Sequence, residues 1–316
     1  MQLVIIVILG SILGFMYGGY TDGFIFSTNI CLFAGLSLIM PSLFKFKLKD
    51  IQLIWHYKMT LLKGLVVNYI LLPIIALAIG FLTGDFGITA GLFLISVLSG
   101  GGMVMHWIKK SQGDTSFGFL LLFINLILIS LSLLMLHIFA MYAAPYYGVS
   151  YESDVSISRF TNAVLMLLII IPFIASRVVI FIKPLVHFIE QYRKYISHIS
   201  IFIILFYLFG LQSSQQLLEV YDFEPELFIV AFVAVFFFYL IITLLSKWVY
   251  NLHIAQERAA FWHSVTRYIT LALVITTFSS STFGVSMLLP VMFAYIVQIP
   301  FAVIVDRKIM LHDKPD

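Results

Sequence analysis

Charge is what this chain has least of. Of its 316 residues only 10% are charged and 62% are hydrophobic. Soluble domains carry roughly 25% charged residues, so a soluble fold is excluded and an integral membrane protein is expected. A single cysteine, Cys31, excludes an internal disulfide framework and a thiolate metal cluster. No nucleophile–base constellation, phosphate-binding glycine loop or metal-ligand spacing occurs, so the chain reads as neither an enzyme nor an ATP-driven pump, with no cofactor or metal expected. The net charge of +3 is small and unclustered, which sets nucleic acid aside as a partner. No Lys or Arg precedes the first apolar run and no small-residue cleavage site ends it cleanly. Residues 3–19 are therefore read as a retained span rather than a signal peptide.

What is abundant is apolar length. Runs of about 17–28 residues, enough to span hydrocarbon, fall near 3–19, 24–43, 60–82, 87–108, 115–142, 158–182, 197–217, 226–249, 258–279 and 283–305, ten in all. Alternate connections differ in charge. Lys45, Lys47, Lys49, Lys58, Lys109, Lys110, Lys183, Arg193, Lys194, Lys247, Arg258, Arg307, Lys308 and Lys314 collect on one side. Asp22, Asp85, Glu152, Asp154, Glu219, Asp222, Glu224 and Glu226 collect on the other, with Arg159 as the one cation there. The positive-inside rule makes the first side cytoplasmic, with both termini on it. The expected location is a cell membrane, the inner one in a bacterium.

Five spans per half is an odd number, so a second copy of the unit would enter the membrane upside down. The expected architecture is all-α: an inverted repeat of residues 1–142 and 158–316, joined by an external loop at 143–157.

The fourth and ninth segments are interrupted by Ser99-Gly100-Gly101-Gly102 and His263-Ser264-Val265-Thr266-Arg267. Consecutive glycines invite a helix to unwind and expose backbone groups, which hydrocarbon tolerates only where protein or a watery cavity covers them. Breaks at corresponding places in two halves point to a transporter's binding site, paired near the midplane. The competing explanation, close helix packing through small residues, fits a serine and three glycines in a row less well.

Arg267 lies about ten residues from either end of its segment, too deep to snorkel easily. It could bind an anionic solute bidentately, take the place of a bound cation, or only satisfy carbonyls of the partner helix. His263 is one helical turn earlier, on the same face, and suits proton coupling or plain hydrogen bonding equally. Asn68, five residues before Pro73, suggests a polar contact with the core or a glue between helices. The candidate solute-binding set is Arg267, His263, Asn68, Ser99, Gly100, Gly101, Gly102 and Thr266, with His263 and Asn68 as candidate ion-coupling residues. His106, His137, Asn125 and Asn162 read as packing or interfacial residues. Arg177 reads as a snorkelling residue, and Phe236-Phe237-Phe238-Tyr239 as lipid-facing bulk.

In order along the chain, Gly35-Leu36-Ser37-Leu38 with Pro41-Ser42, Asn68-Tyr69-Ile70-Leu71-Leu72-Pro73, Ser99–Gly102 with Gly113-Asp114, and Arg258-Ala259-Ala260-Phe261 through Thr266-Arg267-Tyr268 and Leu271-Ala272-Leu273 form a series. This series resembles the bile acid:sodium symporter family, including its bacterial arsenic-resistance-type permeases. The resemblance implies ten helices, with helices 1, 2, 6 and 7 as a panel and 3–5 and 8–10 as a core. It further implies helices 4 and 9 crossing in the core, and transport by alternating access. It also implies sodium ligands, and there the chain departs. Val104 and Met105 replace the family's polar pair after the first break, Gly118 and Leu122 fall at its hydroxyl positions, His263 falls at its acidic ligand and Arg267 at its glutamine. Only Asn68 persists in kind. Gly100 stands where the arsenite-efflux branch carries a cysteine, which argues against thiol-based arsenite handling.

The function expected from these readings is secondary transport of a small anionic solute, without sodium and uniport-like or proton-linked. The alternative is a transport-inactive sensor or scaffold that keeps the fold, a reading that the lost sodium ligands favour. The expected partners are the solute, protons in the proton-linked case, and the lipid bilayer.

Overall fold

The computed structural model describes residues 2–21, 29–44, 52–101, 103–149, 166–214 and 225–312. Gly102, Asn162 and the loop charges Asp22, Lys45, Lys47, Lys49, Glu152, Asp154, Arg159, Glu219, Asp222, Glu224 and Lys314 lie outside these ranges. So does the second half of the expected 143–157 loop, from residue 150.

Helix dominates everywhere described, as 62% hydrophobic residues with few charges require of a backbone that must satisfy itself inside lipid. Besides helical stretches at 29–43, 53–56 and 166–170, the helices begin with α1 (Gln2–Tyr20), α2 (Lys58–Thr83), α3 (Phe86–Val97), α4 (Val104–Lys110), α5 (Thr115–Ile127) and α6 (Ile129–Tyr147). They continue as α7 (Ile171–Val179), α8 (Lys183–Gln191), α9 (Arg193–Ser214), α10 (Pro225–Val249), α11 (Ala255–Val265), α12 (Ile269–Phe283) and α13 (Leu288–His312). By length and composition, four described helices (α2, α6, most of α10 and most of α13) are long and apolar enough to cross a membrane. They are five if the bent pair α7–α8 is one span. No strand occurs among the described residues, only one isolated bridge. The chain is thus a helical, multi-pass membrane protein.

Two compact units divide it. One comprises Met1–Phe44 and Asp154–Pro225, the other Lys45–Ser153 and Glu226–Asp316.

In the first unit α1 runs along α9. The contact is close because Gly14 and Gly18 face the backbone of Phe206 and Gly210, where even one methyl group would overlap a main-chain carbonyl. Small residues at four-residue spacing let two backbones meet in a setting where lipid removes the hydrophobic drive. Arg177 of α7 does not stand free. It donates to the Leu43 carbonyl at 2.5 Å and lies over the Phe173 ring.

In the second unit α2 widens into a π turn at Val67–Leu71 just before Pro73. Proline lacks the N–H for the ordinary ladder and its ring crowds the preceding turn, so the helix opens there. Asn68 sits in that turn. Asp85 and Asp114 cap α3 and α5, each accepting from the amide three residues on. Two ion pairs tie elements of this unit: Lys63–Glu257 at 2.8 Å joins α2 to α11, and Lys110–Asp306 at 2.6 Å joins α4 to α13.

Candidate functional site

The site is built where two helices stop. α3 ends at Val97 and α4 begins at Val104; α11 ends at Val265 and α12 begins at Ile269. The chain leaves the helical ladder at 98–101 and at 266–268, and the two stretches pair antiparallel at Ser99 and Arg267. The Gly100 amide donates to the Thr266 carbonyl and the Tyr268 amide to the Leu98 carbonyl, each at 3.0 Å. Each break therefore satisfies the backbone of the other. Gly100 is required twice over: its φ of +60° is a region that side chains disfavour, and a methyl group there would overlap the His263 imidazole.

A helix end leaves carbonyls without amide partners. For α3 every one has a donor. Arg267 Nε donates to the Ile95 carbonyl at 3.0 Å, Arg267 Nη2 donates to the Ser96 carbonyl, Ser132 Oγ donates to Val97 at 2.9 Å, and Leu98 takes the Tyr268 amide. The same guanidinium turns back onto its own helix. Nη1 donates to the Ser264 carbonyl at 2.9 Å and to Asn68 Oδ1 at 2.6 Å. One cation thus caps the C-terminal ends of both half-helices, where the partial charge of the helix dipole is negative. Its acceptors are all neutral, and among the described residues no carboxylate bonds to it. Arg267 is 1% exposed, among the largest fully buried side chains of the protein.

Around this centre lies a shell of amides and hydroxyls. Asn68 Nδ2 donates to the Gly64 carbonyl at 2.8 Å and to Ser264 Oγ at 3.3 Å, and Ser264 Oγ also bonds Tyr250 Oη at 2.9 Å. Gln298 Oε1 accepts from the Arg267 backbone amide at 2.6 Å and from Tyr239 Oη at 2.9 Å. Thr266 Oγ1 turns back to the Trp262 carbonyl. On the other side of the crossing, Ser99 Oγ donates to the His263 carbonyl at 2.8 Å. Asn125 Nδ2 donates to Ser99 Oγ at 3.1 Å and to His263 Nδ1 at 3.2 Å. His263 Nε2 faces the Gly118 carbonyl at 3.0 Å. A carbonyl can only accept, so Nε2 carries the ring proton and Nδ1 is the acceptor.

Seven of the eight residues expected at the site meet here: Asn68, Ser99, Gly100, Gly101, His263, Thr266 and Arg267. Gly102 lies outside the described residues. Sequence reasoning missed Asn125, which was read as packing, as well as Ser96, Ser264, Tyr250 and Gln298. Tyr239 was read as part of a lipid-facing run. The run in fact divides: Phe236 and Phe237 are exposed, while Phe238 and Tyr239 are buried and Tyr239 reaches Gln298. Helical spacing carries that signal, because a four-residue run on a helix cannot face one way. His106, expected as a packing or interfacial residue, is exposed. A separate cavity of about 320 Å³ among Leu77, Phe81, Phe93, Met135, Ile138 and Phe139 is apolar, and no residue of the crossing lines it.

The family model described as Sodium Bile acid symporter family matches residues 32–220, more than half of the chain. The match includes Asn68, the first break and Asn125, and it ends before His263, Arg267 and Gln298. No curated protein matches the chain.

Proposed function

This chain belongs to the sodium bile acid symporter family, and on that premise we propose that it carries a small anionic solute across the membrane by alternating access, without sodium. The family's members are transporters. The observation that carries the uncoupled reading is the place of the Arg267 guanidinium: it holds the C-terminal carbonyls of both broken helices, Ile95, Ser96 and Ser264, together with the Asn68 amide oxygen. Half-helix C-terminal ends and unwound carbonyls are where transporters of this kind coordinate a sodium ion. Here a covalently tethered cation takes that coordination. A sodium ion about 4 Å away would meet a repulsion of about 4 kcal/mol at an effective dielectric of ~20, a loss of about a thousandfold in affinity.

His263 supports a uniport-like over a proton-linked cycle. Both of its ring nitrogens are engaged, and a second proton on Nδ1 would face the amino group of Asn125. Taking it up requires the Asn125 amide to turn over, which withdraws a donor from Ser99. The solute is read as anionic because the guanidinium has only neutral acceptors, so its positive charge stays uncompensated at the crossing. The hydrogen bonds also refine the expected role of Arg267: its donors hold the protein, and the charge acts on the solute through its field rather than through a bidentate clamp.

The same reading takes the two units as panel (Met1–Phe44 with Asp154–Pro225) and core (Lys45–Ser153 with Glu226–Asp316). It places ten spans in an inverted repeat of residues 1–142 and 158–316 with both termini cytoplasmic, and the paired breaks at 98–103 and 266–268 support it. A thermal-shift screen of small organic and inorganic anions on purified protein supplies the solute. Flux of that solute in proteoliposomes, with sodium replaced by choline and with or without a pH gradient, tests the mechanism. Flux unchanged by either exchange is expected. A steep sodium dependence overturns the uncoupled reading, and absence of flux with every stabilising anion favours the inert scaffold.

A further inference from the structure

Helix α8 takes no part in the crossing, and none of its nine residues is buried. The chain reaches it by turning 113° between α7 and α8. The turn falls at Ile182, whose ψ of 77° leaves the helical region, and Pro184 fits the first turn of α8 because no amide donor is needed there. Where α7 closes the apolar run 158–182, a turn of 113° leaves the next helix lying close to the plane of the membrane.

The sequence of α8 has two faces. Leu185, Phe188, Ile189 and Tyr192 recur at i, i+3, i+4 and i+7 and share one side; Lys183, His187, Glu190 and Gln191 recur at i, i+4, i+7 and i+8 and share the other. The apolar side continues into Phe181 and Ile182. It stands open: Phe181 is 86% exposed, Phe188 55% and Ile182 50%. On α8 itself Lys183 and Glu190 cancel, but Arg193 and Lys194 follow at once, so residues 183–194 together carry a net charge of +2. A short helix with an aromatic and aliphatic face, a polar opposite face flanked by cations and little overall hydrophobicity is the kind that lies in a membrane interface. The excess of cations fits the anionic headgroups of a cytoplasmic leaflet.

We propose that α8 is an interfacial anchor, with Phe181, Leu185, Phe188 and Tyr192 immersed below the headgroups and the cationic flanks at Lys183 and at Arg193-Lys194 drawn to anionic lipid. It fixes the end of α7 and the start of α9 at one depth.

The test places single cysteines in a Cys31→Ser background at Leu185, Phe188 and Tyr192, and separately at His187, Glu190 and Gln191. Each is spin-labelled in the full-length protein, in vesicles of phosphatidylcholine alone or mixed with phosphatidylglycerol. Collision with oxygen and with a water-soluble nickel chelate is then compared. The oxygen-to-nickel ratio is expected to be severalfold higher at 185, 188 and 192 than at 187, 190 and 191. It should rise at the apolar positions when phosphatidylglycerol is present, and the double variant Lys183→Glu with Arg193→Glu should abolish that rise. Equal nickel access on both faces overturns the anchor. Protection of 185, 188 and 192 from both reagents overturns it too, since protein and not lipid then covers that face. Immersion that ignores lipid charge overturns the headgroup assignment.

Discussion

Removing the guanidinium tests the crossing most severely, and the cost can be worked from its partners. In Arg267→Ala four buried acceptors lose their donor: the carbonyls of Ile95, Ser96 and Ser264 and the side-chain oxygen of Asn68. An unsatisfied buried acceptor costs about 1–3 kcal/mol, so four amount to roughly 4–12 kcal/mol before any relief. The relief is real, because an uncompensated buried charge carries a desolvation penalty of several kcal/mol that the variant no longer bears. The four lost bonds outweigh that relief, and the net expectation is a loss of a few kcal/mol. The vacated space is lined by oxygens and shaped for a planar cation, so free guanidinium at low millimolar concentration should refill it. At a hundredfold excess over its dissociation constant it would restore about 2.7 kcal/mol. Thermal unfolding of the purified variant in detergent, with guanidinium, sodium or choline chloride at equal ionic strength, reads this directly. The variant should melt well below the parent, and guanidinium should raise its midpoint while choline does not. Unfolding at the parent's temperature in all three salts would refute the claim that this side chain holds the two breaks together.

Three further expectations follow from single contacts. Gly100→Ala should reduce stability by at least about 2 kcal/mol, since it combines a left-handed backbone with overlap of the His263 ring, and flux of the solute should fall with it. Asn125→Leu should cost about 1–3 kcal/mol by leaving His263 Nδ1 without a donor. His263→Leu in the same background should then cost less than it does alone, a non-additivity that a double-mutant cycle on unfolding midpoints would detect. Gly14→Ala should loosen α1 from α9, because the new methyl meets the Phe206 carbonyl. A lower melting temperature is expected for Gly14→Ala and a smaller loss for Gly84→Ala, where no atom lies within 4 Å of the added methyl but φ is +69°; a loss at Gly84 larger than that at Gly14 would contradict the steric ordering.

The breaks were legible because their signals are local: glycines in a row, and an arginine too deep to reach water. Asn68 was legible through its spacing from Pro73. The acceptors of Arg267 were not, since three of the four are main-chain carbonyls that any residue type supplies. Gln298 and Asn125 were hidden for another reason. Each is a lone amide in a long apolar helix, and only the crossing of two other segments decides whether such an amide meets a site or a neighbouring helix. The Gly14–Gly18 contact and the turn into α8 both depend on which helix lies alongside, which hydrophobic length alone does not reveal. Tyr239 shows the same limit at shorter range, since its run of aromatics hides the 100° rotation per residue that turns it inward.

The account depends most on one ion being absent because another is already in its place. Binding of radiolabelled sodium to the purified native protein, measured by scintillation proximity against choline, tests it most directly. The account predicts no saturable sodium binding by the native chain. Saturable binding displaced by unlabelled sodium would mean that the carbonyls at the crossing still serve a free cation, and that the tethered guanidinium does not stand in for it.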